Sequence, residues 1–171
     1  MADRFQIELQ DADALAAIDR AIALLQQPGE LFASIGERIE ANAQLRFDEK
    51  VDPTGAAWAP LSPATRAIYE SEWFIERNPA FRGGIPGTLL ERTRQLRDSL
   101  AYNAGVDYVE IGTSRQVGKN AWQVGALHEW GTRTMPRRGI LTADPKAGQL
   151  GAGDQADVLA IVNDYISGAF D

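Results

Sequence analysis

The chain has 171 residues, of which 17 are basic and 24 acidic, giving a net charge of −7, and it holds one His and no Cys. Without cysteine there is no disulfide, thiolate metal site or cysteine nucleophile, and one His excludes a multi-histidine metal centre. The length suits one domain with an appendage and can bury a core without covalent staples; 44% hydrophobic residues exclude intrinsic disorder, and the acidic total excludes a protein that coats nucleic acid over its whole surface.

Residues 4–9 alternate Phe5, Ile7 and Leu9 with polar neighbours, which predicts a short half-buried strand. Asp11 or Asp13 then caps a helix to about Gln27. Its apolar stripe, Leu15, Ile18, Ile22 and Leu25, is spaced 3, 4 and 3 and should face the core. Pro28-Gly29 ends it. A second helix follows from about Glu30 to Lys50, with Leu31, Ile35, Ile39 and Asn42 on one face, broadened by Phe32, Ala43 and Phe47. At this length it would span about 30 Å.

Asp52-Pro53-Thr54-Gly55 is a turn by composition. Ser62-Pro63 starts a third helix, since Ser caps an open amide and Pro lacks one. That helix should reach roughly Glu76. The Gly- and Pro-rich stretch 78–88 reads as a loop. Residues 95–102 and 108–112 read as a hairpin with Leu96, Leu100 and Tyr102 on one strand, Val109 and Ile111 on the other, and a turn at Asn103-Ala104-Gly105. A polar loop, 114–120, precedes a helix from Ala121 to Trp130 closed by Gly131. Residues 132–151 hold one weak strand around Ile140. Asp154 caps a last helix with Val158, Leu159, Val162, Tyr165 and Ile166 on one face.

Helices, then strands, then a helix predict an α+β fold, with an antiparallel hairpin packed against the long helix and the C-terminal helix. The absence of βαβ alternation argues against a doubly wound nucleotide-binding sheet. Charge is divided along the chain: residues 1–81 sum to −7, residues 82–146 to +4, and residues 147–171 to −4. Fourteen of the 17 basic residues are Arg, whose planar fork suits interfaces. The opening residues lack a basic-then-apolar leader, and no apolar run approaches the roughly 18 residues that span a bilayer. A cytoplasm-like compartment and no membrane partner are expected.

Catalytic motifs fail on inspection. Residues 112–120, Gly-Thr-Ser-Arg-Gln-Val-Gly-Lys-Asn, imitate a phosphate loop, but five residues separate the glycines and Asn120 replaces the required hydroxyl. His128-Glu129 suggests a zinc-protease pair, but Thr132 stands where the second His belongs. No Gly-x-Ser-x-Gly elbow accompanies His128. Asp48-Glu49 and Asp11/Asp13 read as solvated faces and caps. The four Trp residues read as core or interface anchors. No catalytic residue, metal ligand set or cofactor is assigned.

Three segments do carry a likeness. Residues 47–65 follow the pattern F-x-x-x-x-D-P-x-G-x-x-W-x-P-L-S-x-x-T. Residues 89–100 are followed by Val109-Glu110-Ile111-Gly112-Thr113. Residues 126–132, with His128-Glu129-Trp130-Gly131, precede Met135-Pro136-Arg137-Arg138. In this order they resemble the phage virion morphogenesis family, the tail completion or head–tail joining proteins of Mu-like tailed phages, from about Leu31 to Asp171. The chain departs from the family at Arg94-Gln95, at Glu129, and in the run after Pro136.

The resemblance implies residues 1–28 as an N-terminal strand and helix extension and 29–171 as the virion morphogenesis domain. It implies a structural virion protein, not an enzyme, forming a homo-oligomeric, hexameric ring at the neck or tail end. Its partners would be a head–tail connector or portal-side adaptor and a tail tube or tail terminator protein, with a passing contact with DNA in the lumen and assembly in the host cytoplasm. Asp52, Pro53, Gly55, Trp58, Pro60, Leu61 and Ser62 would form a rigid structural corner. Arg92, Arg94, Arg97, Arg115, Lys119, His128, Trp130, Arg133, Arg137 and Arg138 are the interface candidates. Two other readings are open: a metal-dependent hydrolase or nuclease using His128 and Glu129, and a DNA-contacting module using the Arg-rich middle.

Overall fold

The computed structural model describes residues 12–77, 89–90 and 94–168; the strand expected at 4–9, the loop at 78–88 and Arg92 lie outside the described residues. Helix α1 (Ala12–Gln26) is followed by α2 (Gly29–Glu49), with the chain breaking at Pro28. On α2 every fourth residue is buried: Leu31, Ile35, Ile39, Ala43 and Phe47. Residues four apart share one helix face, so this row makes a continuous apolar seam. Lys50, in the left-handed region at φ 59°, ends the helix.

The stripe on α1 meets a different fate from the expected one. Leu15, Ile18, Ile22 and Leu25 remain 45–57% exposed. The side facing the protein carries Ala14, Ala17, Ala21 and Leu24, each half-buried. The fastening is at the C-terminal end, where the Tyr165 hydroxyl lies 3.1 Å from the Leu24 carbonyl and 3.3 Å from that of Gln27.

After the corner, the helix expected to reach Glu76 divides into α3 (Pro63–Glu70) and α4 (Glu72–Arg77). Ser71 causes the division, because its Oγ donates to Ile68 O and accepts from Phe74 N. Side-chain hydroxyls compete with the helical ladder in this way. The hairpin strands are β1 (Leu100–Ala104) and β2 (Val109–Thr113), antiparallel, with Leu100 opposite Thr113 and Ala104 opposite Val109. β1 therefore starts later than expected, since residues 97–99 form a 3₁₀ turn. Asn103 and Ala104 stay in the strand, and Gly105 to Tyr108 make the turn. A short strand, β3 (Gln116–Val117), forms within the expected polar loop and pairs with β4 (Trp122–Gln123), which takes the place of the expected first turn of the helix. They delay helix α5 to Val124–Trp130. No strand forms at Ile140, whose amide is bonded to a side chain instead. Helix α6 (Ala152–Ser167) has Gly151, not Asp154, at its N-cap, and it leaves Leu159 and Ile166 exposed.

These elements form an α+β fold. The hairpin and α6 both pack against α2. Gly36 lets the hairpin approach: a Cβ there would lie 2.4 Å from the Tyr102 ring and 2.9 Å from Val109. One apolar cluster gathers Leu31, Ile35 and Ile39 with Ile111, Val158, Ile161 and Val162. A second gathers Ala43, Phe47, Trp58, Leu96, Leu100 and Ile140. Leu141 packs against both. Each fully buried large side chain contributes about 1.5–3 kcal/mol, and the α2 row supplies residues to both clusters.

Candidate functional site

The sequence-predicted residues converge where the corner after α2 meets the irregular segment 131–142. At the corner, Asp52 Oδ1 accepts from Thr54 N at 2.8 Å, Thr54 Oγ1 at 2.5 Å and Ala56 N at 3.2 Å. Gly55 takes the positive φ of 84° that the turn requires. Pro53 is buried against α6, so closely that a Cβ at Gly151 would lie 2.1 Å from the Pro53 carbonyl oxygen. Trp58 is 5% exposed. Its ring meets Phe47 edge-on at 5.4 Å, and its Nε1 donates to Gly139 O at 2.9 Å. Pro60 is exposed and Leu61 half-buried. Ser62 Oγ accepts from Thr65 N at 3.1 Å and so starts α3.

The partner segment is held by α5. Glu129 Oε2 accepts from Ile140 N at 2.7 Å and Leu141 N at 3.2 Å. Its Oε1 accepts from Thr142 N at 2.7 Å and Thr142 Oγ1 at 2.5 Å. Arg137 donates to the Glu129 carbonyl at 2.9 Å and to Thr142 O, and lies 3.5 Å from Asp52 Oδ2. Gly131 turns the chain at φ 69°, where a Cβ would lie 2.9 Å from Arg137 N. Arg138 is buried and donates to the carbonyls of Ala59 at 2.8 Å and Pro60 at 3.0 Å. Burial draws its guanidinium below its ordinary value. Thus Arg138 ties the predicted corner to the segment after Gly131.

A third tie joins Asn42 and Asp154 to Arg46, the one residue of the three that the sequence did not single out. Arg46 lies on the inner side of α2, donating to Ile140 O at 2.9 Å and to Asp154 Oδ1 at 2.5 Å. Asn42 donates to Asp154 at 3.0 Å and Asp157 at 2.8 Å. Asp154, 1% exposed, is an internal ion-pair partner and not a solvent-facing cap. The available signal was Arg46 next to Phe47, a charge placed on an otherwise apolar face.

The remaining candidates are distributed differently. Arg97 forms a two-pronged pair with Asp48 at 2.6 and 2.9 Å and holds that carboxyl below the usual range. Arg94, Lys119, Arg133 and Trp130 are exposed, and Arg115 is half-buried. The division of charge along the sequence is therefore partly cancelled in space, because Arg97 and Arg137 of the basic middle meet Asp48 and Asp52 of the acidic first part. His128 sits beside Arg138 at a cavity of about 330 Å³ that Leu61, Thr65 and Tyr69 also line. Burial first, and then the Arg138 charge, push its imidazole down to about 4. Its Nδ1 is buried without a hydrogen-bond partner. Among the described residues no three acidic, His or Cys side chains converge as a metal site, and Glu129 already uses both oxygens on the 140–142 backbone. No helix among them is long and apolar enough to cross a membrane.

The phage virion morphogenesis family matches this chain over residues 9–166. No curated protein and no solved structure matches it.

Proposed function

The chain belongs to the phage virion morphogenesis family, and from that premise we propose that it is the tail completion or head–tail joining protein of a tailed phage. In this reading, copies form a hexameric ring in the neck. The capsid connector or portal-side adaptor docks on one face of the ring and the tail tube or tail terminator on the other, and DNA passes through the lumen. The observation that carries the reading is the span of the match, which takes in the corner, the hairpin and the segment after Gly131.

The side-chain geometry supports a structural task. Asp52, Glu129, Arg137 and Arg138 spend their polar atoms on the backbone of the same chain. Trp122 and Trp130 are each 57% exposed, and exposed Trp together with Arg is the composition of interface anchors. Lys119, Arg133 and Trp130 are the surface residues we assign to subunit or neck contacts. The hydrolase reading finds no support in Glu129, whose carboxylate is a loop clamp.

Deleting the gene from the phage tests the proposal. Electron microscopy should then show filled heads and separate tails, with infectivity restored by supplying the protein in trans. Normal infectious virions without the protein would overturn it.

A further inference from the structure

We propose that the cavity beside His128 is a receptor for a carboxylate, supplied by an acidic side chain on a segment of the neck protein that docks there. The inference rests on the reading of this chain as a neck component and names the chemistry of one contact.

Buried charge identifies the site. Among the described residues three charged side chains are buried: Arg46, Arg138 and Asp154. Arg46 and Asp154 neutralise each other at 2.5 Å. Arg138 has no such partner. Its Nε and Nη2 donate to the neutral carbonyls of Ala59 and Pro60, and no carboxylate among the described residues lies within ion-pair distance of it. Burial draws its guanidinium down with no acid to oppose the shift. A buried charge is ordinarily paired, because its lost hydration must be replaced. The Nη1 of Arg138 makes no bond and is not sealed off by protein.

The cavity that Arg138 borders holds a second unspent cation. Arg115 is half-buried, and its side chain makes no hydrogen bond or ion pair among the described residues. In this it differs from Arg97 and Arg137, which meet Asp48 and Asp52. None of the described lining residues is acidic. His128 adds no charge, since burial holds its imidazole neutral at pH 7. Two guanidinium groups thus border one recess without a counter-ion.

The walls set what can carry the anion. Leu61, Leu96, Val124 and Met135 supply apolar surface, and Ser62, Thr134 and Pro136 stand exposed at the rim. The volume of about 330 Å³ is at the low end for ligand pockets, with room for a short segment and none for a duplex. A free phosphate would leave the apolar walls bare. An Asp or Glu beside an apolar residue uses both features, through charge-assisted bonds to the guanidinium groups and apolar contact with the walls. The recess is also preformed. Its floor is fixed by the Trp58 bond to Gly139 and by the grip of Arg138 on Ala59 and Pro60, so little ordering is needed on docking.

Peptide titration of the full chain tests the proposal. The probes are acetyl-Leu-Glu-Leu-amide and its Gln counterpart, with inorganic phosphate and a DNA duplex as further arms. His128, the single His, reports from the cavity through its ring proton resonances. The Glu peptide should shift them saturably and bind about tenfold more tightly than the Gln peptide, the worth of one charge-assisted bond. Arg115→Ala should remove this preference with its Tm unchanged, because the fold does not use that guanidinium. The comparison of the two peptides on the unaltered chain holds whatever the variant does. No saturable shift, equal binding of the two peptides, or a preference that survives Arg115→Ala overturns the proposal. Tighter binding of phosphate or DNA overturns it as well. If the purified chain assembles by itself and Arg115→Glu disperses the assembly, the occupant is a second copy and the partner assignment falls. The titration reads the cavity without a virion and gene deletion reads the virion role, so the two failures are distinguishable.

Discussion

Glu129 and Arg46 hold opposite sides of one residue: the Glu129 carboxylate takes the Ile140 amide at 2.7 Å and the Arg46 guanidinium gives to the Ile140 carbonyl at 2.9 Å. One clamp comes from α5, the other from α2, and the Ile140 side chain is 1% exposed between them. A residue that sequence pattern places in a strand thus satisfies its backbone through two charged side chains. Charge-assisted hydrogen bonds are the stronger kind, which explains why no ladder is needed.

Glu129→Ala should therefore destabilise the protein by about 2–4 kcal/mol, because several backbone amides lose a charged acceptor. Glu129→Gln should cost less, since its amide oxygen can still accept from part of the set. Urea unfolding checks the order. Equal stability in all three would contradict the clamp.

The buried pair Arg46–Asp154 predicts a non-additive result. Either Arg46→Met or Asp154→Leu alone should cost about 3–5 kcal/mol, because each leaves a charge unpaired, while the double variant should recover much of the loss. A double-mutant cycle measured by denaturation reads the coupling directly.

His128 predicts a pH dependence. Its folded value is pushed down to about 4 from an ordinary 6.5, so the unfolded chain binds the proton first. Its contribution is complete above about pH 6.5, falls as pH drops toward 4, and levels off below, a change of about 2–3 kcal/mol. As the single His, its ring proton resonance can be followed without ambiguity and should titrate near 4. His128→Gln should flatten this part of the stability profile.

Gly36→Ala should weaken the contact between hairpin and α2 by about 1–3 kcal/mol through overpacking, even though Ala is the better helix former. Adding Tyr102→Ala should return part of that loss, because the Tyr102 ring is the nearest obstacle. Thermal unfolding of the two variants decides it.

The fold was legible where one signal had one meaning. The row Leu31, Ile35, Ile39 shows the buried face of α2 directly, because spacing of four allows no other face. The stripe on α1 is equally periodic, yet periodicity states that a face is apolar without stating what covers it. Asp154 resembles a cap because an acid in the first turn and an acid at a cap look alike in sequence; only its approach to Arg46, 108 residues away, separates them. β3 and β4, two residues each, are too short for any period. The corner at Asp52 to Ser62 was readable from local chemistry, since turn, anchor and helix start lie in one stretch. Its grip by Arg138 was not, because that contact joins residues 78 and 79 positions apart.

The double hold on Ile140 has a dynamic consequence. Amide hydrogens normally exchange slowest inside helices and strands. Here the Ile140 and Thr142 amides should rank among the slowest in the molecule, because freeing them requires α5 to release its carboxylate and, through the neighbouring Arg46 contact, disturbs α2 as well. Leu141 between them packs against both apolar clusters, so opening this segment amounts to opening the whole fold. Slow exchange there would place the best-protected amides in a stretch with no regular secondary structure, held at once by Glu129 of α5 and Arg46 of α2.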